Sequence, residues 1–174
     1  MLFRKRTSVN DFARRLIELH AGLFGRETLL EIADKLQISL TDARFATALS
    51  EWLFFGAFVV RQCVSTKCGE NAALRNAILD AFFGQMYVGL LKAGVQESDM
   101  PHVEGCIKAR FEEYERAQLH SRGGGPISEL GIDVATLMFG EGVEAVRFAP
   151  VPVLRFSDSL EFVKKLFDDY KIVN

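Results

Sequence analysis

Apolar side chains recur every three to four residues along most of this chain, which is the periodicity of an amphipathic α-helix. The first such segment is Val9–Phe24, where Arg14 and Glu18 lie opposite the apolar stripe. The same periodicity predicts further helices over Glu27–Leu36, Leu40–Val64, Ala72–Leu91, a stretch that begins at Ser98 or Asp99, Ser128–Phe139 and Ser159–Tyr170. The pattern therefore indicates an all-α protein of about six or seven helices.

The third and fourth predicted helices are the most apolar. Trp52–Val60 is apolar on every side, and only a helix surrounded by other elements tolerates that composition. We therefore expect an antiparallel helical bundle in which helices 3 and 4 form a central buried pair. Helices 1, 2 and 5 pack around that pair, with Arg110, Glu113 and Glu115 on the outer face of helix 5.

Two segments interrupt the helical pattern. Gly123, Gly124 and Gly125 precede Pro126, so a flexible loop is expected near residues 121–127. The stretch Val143–Phe156 contains Pro150 and Pro152 and is predicted to be extended. We expect it to form a C-terminal arm, residues 143–156, that reaches across to a second copy of the chain.

Length and composition favour a single ordinary domain. The 174 residues have 49% hydrophobic composition, with 21 basic and 23 acidic side chains, so residues 1–174 are expected to form one helical domain. The charge balance does not favour nucleic acid as a partner. Trp52–Val60 is much shorter than the roughly 20 residues of a membrane span, so none is expected.

The cysteines and the amino terminus predict a cytoplasmic protein. Cys63, Cys68 and Cys106 are odd in number and do not suggest a disulfide framework. The first residues are basic, but no apolar run of a secretion signal follows them. The basic residues Arg4, Lys5, Arg6, Arg14 and Arg15 form either a solvated tail or a contact with anionic lipid or nucleic acid.

Catalytic and metal motifs are absent from the sequence. It contains no Gly-x-Ser-x-Gly, no phosphate-binding loop and no His-Glu-x-x-His. Cys63 and Cys68 are too far apart for the Cys-x-x-Cys spacing of zinc and redox sites. We therefore predict no catalytic residue, no metal and no cofactor, and do not expect an enzyme.

Some polar residues interrupt apolar segments and form one candidate set. They are Glu51, Arg61, Asp80, Gln85 and His20. If these side chains face inward they must be paired, and a paired carboxylate that lines a cavity is a functional candidate. The alternative is that they face solvent, or that His20 is a hydrogen-bonded core residue.

An aromatic set on helices 3 and 4 forms the second candidate. The chain has 15 Phe residues, an unusually high number for this length. The side chains that could line an apolar pocket are Phe45, Phe54, Phe55, Phe58, Phe82, Phe83, Met86 and Tyr87. Core packing and burial between two copies of the chain are the alternatives.

A third candidate lies at the turn between the second and third helices. The helix-turn-helix motif of DNA-binding proteins has a small residue, a leucine three positions later, and then a branched residue followed by serine. In this sequence the corresponding residues are Ala33, Leu36, Ile38 and Ser39. The segment resembles that motif, with Gln37 where the motif usually has glycine. The resemblance implies a recognition face made of Thr41, Asp42, Arg44 and Thr47.

The leading functional expectation is a cytoplasmic interaction or regulatory module that acts through helix faces. A homodimer is expected, because so many aromatic residues are hard to bury in one chain of this size. The alternative is an apolar small-molecule binder or enzyme with a pocket between helices 3 and 4. The third is a helix-turn-helix DNA-binding regulator.

Overall fold

The computed structural model describes residues 4–120 and 129–173. Within these ranges the protein consists of eight α-helices, one 3-10 helix and two short strands. The elements are β1 (Lys5–Ser8), α1 (Val9–Phe24), α2 (Arg26–Lys35), α3 (Asp42–Cys68), α4 (Ala72–Lys92), a 3-10 helix (Glu97–Asp99), α5 (Met100–His120), α6 (Glu129–Phe139), α7 (Val143–Phe148), α8 (Pro150–Asp169) and β2 (Tyr170–Val173). The all-α prediction is confirmed, whereas the loop predicted near 121–127 lies outside the described residues.

Helix α3 is the centre of the bundle. It packs against α1, α4, α5, α6 and α8, and the side chains of Trp52, Phe55 and Phe58 are fully buried. Its approach to α1 requires a glycine, because a Cβ atom on Gly56 would lie 2.5 Å from Cγ of Phe24. The prediction of a central buried helix is correct for α3.

By length and apolar composition alone, α3 meets the requirement for a membrane span. It has 27 residues, and its apolar window has a mean hydropathy of 1.3. Half of that window is buried by the other helices of the described chain. Core helices of water-soluble proteins share these properties, so α3 is poor evidence for a membrane span.

Helix α4 does not share the central position that the sequence predicted for it. It packs mainly on α1, and only Ile78 and Phe82 are buried. Its apolar residues are spread around the whole helix, so packing against one side leaves many of them at the surface. The expected central pair is therefore wrong for α4.

The extended arm predicted over residues 143–156 is also wrong, because this stretch forms α7 and the first part of α8. Pro150 is the first residue of α8 and Pro152 the third. The first four amides of a helix have no intrahelical acceptor, so proline loses no hydrogen bond there. Phe148 at the end of α7 is fully buried against Trp52, with ring centroids 5.5 Å apart.

The two ends of the described chain meet in a parallel two-stranded sheet that the sequence pattern did not predict. Strand β1 pairs with β2 in the register Lys5 with Tyr170 and Ser8 with Val173. Ser8 also caps α1, because its side chain accepts a hydrogen bond from the amide of Asp11. The sheet therefore fixes the start of α1 beside the end of α8.

Candidate functional site

An ion pair between a buried carboxylate and a half-buried guanidinium group connects α3 and α5. Glu51 is 7% exposed, and its carboxylate accepts hydrogen bonds from Nε of Arg110 at 2.9 and 2.8 Å and from Nη2 at 2.7 Å. Nη1 of Arg110 donates to Glu113 at 2.7 Å. The carboxylate of Glu51 also raises the pKa of Arg110. Both Glu51 oxygens are thus engaged by one guanidinium group.

Tyr114 completes this cluster from the next turn of α5. Its hydroxyl donates to Oε2 of Glu51 at 3.3 Å, and its ring is fully buried. Burial is the main cause that raises the pKa of Tyr114, and the nearby negative charge of Glu51 adds to it. The cluster holds α5 against α3, and its satisfied hydrogen bonds are typical of a structural ion pair.

Arg110 was expected on the outer face of α5, and that expectation is wrong. Its side chain lies at the border of the inner stripe, next to Phe111, and turns toward Glu51. The signal that could have identified it is Glu51 itself, since a carboxylate in a buried helix requires a cationic partner.

His20 is a buried histidine with a defined hydrogen bond. Its Nε2 lies 3.0 Å from the carbonyl oxygen of Leu53, so Nε2 carries the proton and donates. Its ring lies between Phe24 and Phe82, with centroids 5.9 and 6.0 Å away. Burial lowers the pKa of His20, although the hydrogen bond to Leu53 opposes this effect.

The other polar candidates do not join this cluster. Arg61 is half-buried, forms a 2.8 Å ion pair with Glu115 and lies over the ring of Phe111 at 5.3 Å. Asp80 is exposed. Gln85 donates to the backbone oxygen of Asn10 at 3.1 Å, which connects α4 to the start of α1.

The residues of the predicted aromatic pocket separate into two groups. Fully buried in the core are Phe55, Phe58 and Phe82. Half-buried at its border are Phe45, Phe54, Phe83, Met86 and Tyr87. The structure therefore does not bring all of them to one cavity.

Phe83 and Tyr87 line a groove between α4 and α5, two helices that both pack on α3. Ile107 and Phe111 complete its apolar floor, and the groove has a volume of about 450 Å³. Charged side chains border it, namely Arg61, Glu104, Lys108, Glu112 and Glu115. The groove has the size of a small-ligand site, but its floor is shallow and open to solvent.

The turn between α2 and α3 has part of the geometry that its resemblance to helix-turn-helix proteins implies. Ala33 and Ile38 are buried, and Gln37 adopts a left-handed backbone with φ 56°, where the motif has glycine. The connection from Leu36 to Thr41 is longer than the three- to four-residue turn of that motif.

The predicted recognition residues do not form a cationic surface. Thr41, Asp42 and Thr47 are exposed. Arg44 forms an ion pair with Glu144 of α7, and its Nη2 donates to the carbonyl oxygen of Phe139 at 3.2 Å. Since the guanidinium group is already engaged, this arrangement does not favour contact with a phosphate backbone.

The cysteines are unpaired thiols in the described chain. Cys63 is buried, and burial raises its pKa to about 12. Sγ of Cys106 lies 3.6 Å from Nε2 of His102 on the surface of α5. Residues 4–120 and 129–173 contain no group of three His, Cys, Asp or Glu side chains that could hold a metal ion.

Comparison of this chain with protein-family models, with curated proteins and with solved structures finds no match. Inferences about function therefore depend on the geometry of the molecule.

Proposed function

We propose that this protein is a helical interaction module that forms a homodimer through the outer face of α4. The observation that supports the proposal is the mismatch between the composition and the burial of this helix. α4 is rich in apolar residues, yet Val88 is 49% and Leu91 41% exposed. Exposed apolar faces of this kind are typical of surfaces that a partner covers.

The outer face of α4 is complementary to itself. Asp80, Gly84, Val88 and Leu91 follow at helical spacing, and a Cβ atom on Gly84 would meet no atom within 4 Å. Gly84 and Val88 lie two residues before and two residues after Met86, so a two-fold axis that crosses the outer face of α4 at this level of the helix places Val88 of one copy over Gly84 of the other. In such an isologous interface each contact occurs twice, once on each side of the two-fold axis.

Charge supports the same antiparallel arrangement. Asp80 and Lys92 are exposed, are also equally far from Met86, and join no ion pair among the described residues. The two-fold axis that seats Val88 on Gly84 therefore brings Asp80 of each copy to Lys92 of the other. Opposite charges at both ends fix the register of the pair.

Sedimentation of the full chain at micromolar concentration tests the proposal. We expect about twice the 19.5 kDa chain mass, and a shift toward monomer for Val88→Asp, because a carboxylate over Gly84 would be buried without a partner. Val146→Asp is the matched control, since Val146 is 65% exposed on α7, away from α4.

A charge exchange between Asp80 and Lys92 tests whether the dimer has the proposed register or is a nonspecific apolar association. Asp80→Lys places two cations together and should weaken the dimer, whereas Asp80→Lys combined with Lys92→Asp should restore it. A wild-type chain that sediments as a monomer, or a dimer insensitive to all α4 variants, contradicts the proposal.

A second candidate function is the binding of an apolar small molecule in the α4–α5 groove. The supporting observation is the apolar floor of Phe83, Tyr87, Ile107 and Phe111. A naphthalene-sulfonate dye should then increase its fluorescence with the wild-type protein and not with Phe83→Ser. Equal fluorescence with both proteins would contradict this candidate.

A further inference from the structure

A second groove runs between α1 and α8, away from the proposed dimer surface. It consists of two adjoining cavities of about 480 and 470 Å³ that share the side chain of Arg15. One end lies at the β1–β2 sheet beside Tyr170, and the other at Leu23 and Phe162. The two ends differ sharply in chemistry.

The sheet end of the groove is cationic. Lys5, Arg6, Arg14 and Arg15 line it, and the carboxylate of Asp11 is the acidic group at this end. Asp11 already accepts hydrogen bonds from Arg14 at 2.8 Å and from Ser8. A cationic end is notable in a chain with a net charge of −2, because such a local excess attracts an anion.

Arg15 is held in place at the middle of the groove. Its guanidinium carbon lies 4.5 Å from the centroid of the Tyr170 ring, which is a cation–π contact. Its Nε is buried and has no hydrogen-bond partner in the described chain. The structure thus contains a guanidinium group, oriented by the Tyr170 ring, at the border of a cationic cavity.

The far end of the groove is apolar. Leu19, Leu23, Phe162 and Leu166 line it, and Phe162 is 44% exposed. Gly22 has no side chain, so the backbone of α1 forms part of the wall. Two carboxylates also border this end, Glu18, which is exposed, and Asp158, which is paired with Arg155 at 3.5 Å.

We propose that this groove binds an anionic amphiphile, an alkyl chain that ends in a phosphate or carboxylate group. The head group lies among Arg6, Arg14 and Arg15, where charge-assisted hydrogen bonds hold it. The alkyl chain covers Phe162 and Leu23 at the other end. The distance from Arg15 to Gly22 along α1 is about 10 Å, which matches an alkyl chain of moderate length.

Calorimetric titration with decyl phosphate, below its micelle concentration, tests the proposal on the full chain. We expect binding that weakens at least about fivefold in Arg6→Gln/Arg14→Gln, because two charges that face the head group are removed. Arg147→Gln, an exposed arginine on α7, is the matched control and should bind like the wild-type protein. Neutral decyl maltoside should bind more weakly than decyl phosphate.

The apolar end requires its own test. Octyl phosphate should bind more weakly than decyl phosphate, since each buried methylene group contributes up to about fourfold in affinity. Phe162→Ser should weaken binding of decyl phosphate and largely remove this dependence on chain length. Val146→Ser, at an exposed position outside the groove, should change neither, and circular dichroism shows that each variant is folded.

These measurements also distinguish the possible sources of the anion. Binding of free decyl phosphate supports the proposal, and additional binding to phosphatidylcholine vesicles that contain phosphatidic acid would extend it to a lipid in a membrane. Binding of inorganic phosphate with equal affinity, binding to vesicles or duplex DNA without binding of decyl phosphate, or no effect of Phe162→Ser would overturn it.

Discussion

Glu51 and Arg110 lie on different helices, and the guanidinium group of Arg110 donates to both carboxylate oxygens of Glu51 at 2.9 Å or less. The side chain of Glu51 is 9% exposed and that of Arg110 28%. A carboxylate at this depth depends on its cation, because water cannot replace the lost hydrogen bonds.

Removal of Arg110 should therefore destabilise the fold more than removal of the whole pair. We expect Arg110→Ala to lower the free energy of unfolding by about 3 kcal/mol, because Glu51 is left buried without a counter-charge. Glu51→Leu/Arg110→Leu should have a smaller effect. Urea denaturation measures both, and equal losses in the two proteins would show that Glu51 is not desolvated in the way that the structure indicates.

His20 should make the stability of the protein depend on pH in the weakly acidic range. Burial lowers the pKa of folded His20 below its unfolded value, so the unfolded chain binds a proton first as the pH falls. The contribution of His20 to the free energy of unfolding is therefore fully present above the pKa of the unfolded state. It is lost as the pH falls from about pH 7 to pH 5.

The variant His20→Gln retains a donor for the carbonyl of Leu53 and does not titrate. The slope of unfolding free energy against pH should be smaller for this variant than for the wild-type protein between about pH 7 and pH 5. An unchanged slope would assign the pH dependence to other groups.

The three thiols should differ in reactivity. The pKa of Cys63 is raised to about 12 and its side chain is fully buried, so it should react with a thiol reagent only after unfolding. Cys106 is half-buried at the surface of α5 and should react first. Mass spectrometry after brief labelling identifies the modified residue, and early modification of Cys63 would contradict its burial.

Substitution by alanine should have opposite effects on the stability of the protein at two helix glycines, Gly56 and Gly89. Gly56→Ala should destabilise the protein, because the new Cβ atom would lie 2.5 Å from the Phe24 ring. Gly89→Ala places a Cβ atom where nothing lies within 4 Å and should stabilise α4 by about 0.5 to 1 kcal/mol. Thermal melts of both variants provide the comparison.

Replacement of Gln37 by glycine, the residue usual at this position of the helix-turn-helix motif, should stabilise the protein. Its φ of 56° is in the left-handed region, where a Cβ atom is unfavourable. Gln37→Gly should raise the free energy of unfolding by about 1 kcal/mol. Gln96→Gly, at an exposed residue with ordinary backbone, should show no such gain.

The sequence predicts those parts of the fold in which periodicity and burial agree. The predicted bounds of α1, Val9–Phe24, coincide with the observed helix, because one apolar stripe runs along the whole segment, and in the structure Ser8 caps its start. For α4 the periodicity predicts the helix itself, but its apolar residues lie on every side, so composition does not determine whether other helices or a partner cover them.

Other features depend on contacts that periodicity does not contain. Pro150 and Pro152 are compatible both with an extended chain and with the first turn of a helix, and the structure places them in the first turn of α8, just after Phe148, which packs on Trp52. Arg110 lies at the border between the inner and outer faces of α5. There the side chain turns toward its ion-pair partner Glu51, and the helical periodicity alone does not determine which way it points. The pairing of Lys5 with Tyr170 joins opposite ends of the chain, and local pattern carries no information about such pairs.

The parallel pairing of β1 with β2 has a consequence for the order of events during synthesis. The fifth residue of the chain can find its partner only after the ribosome has made the 170th. Helices α1 to α5 are all synthesised earlier, whereas the cationic end of the α1–α8 groove must wait for β2. A nascent chain that has not yet reached Val173, or a chain cleaved before Tyr170, would therefore lack the cationic end of this groove.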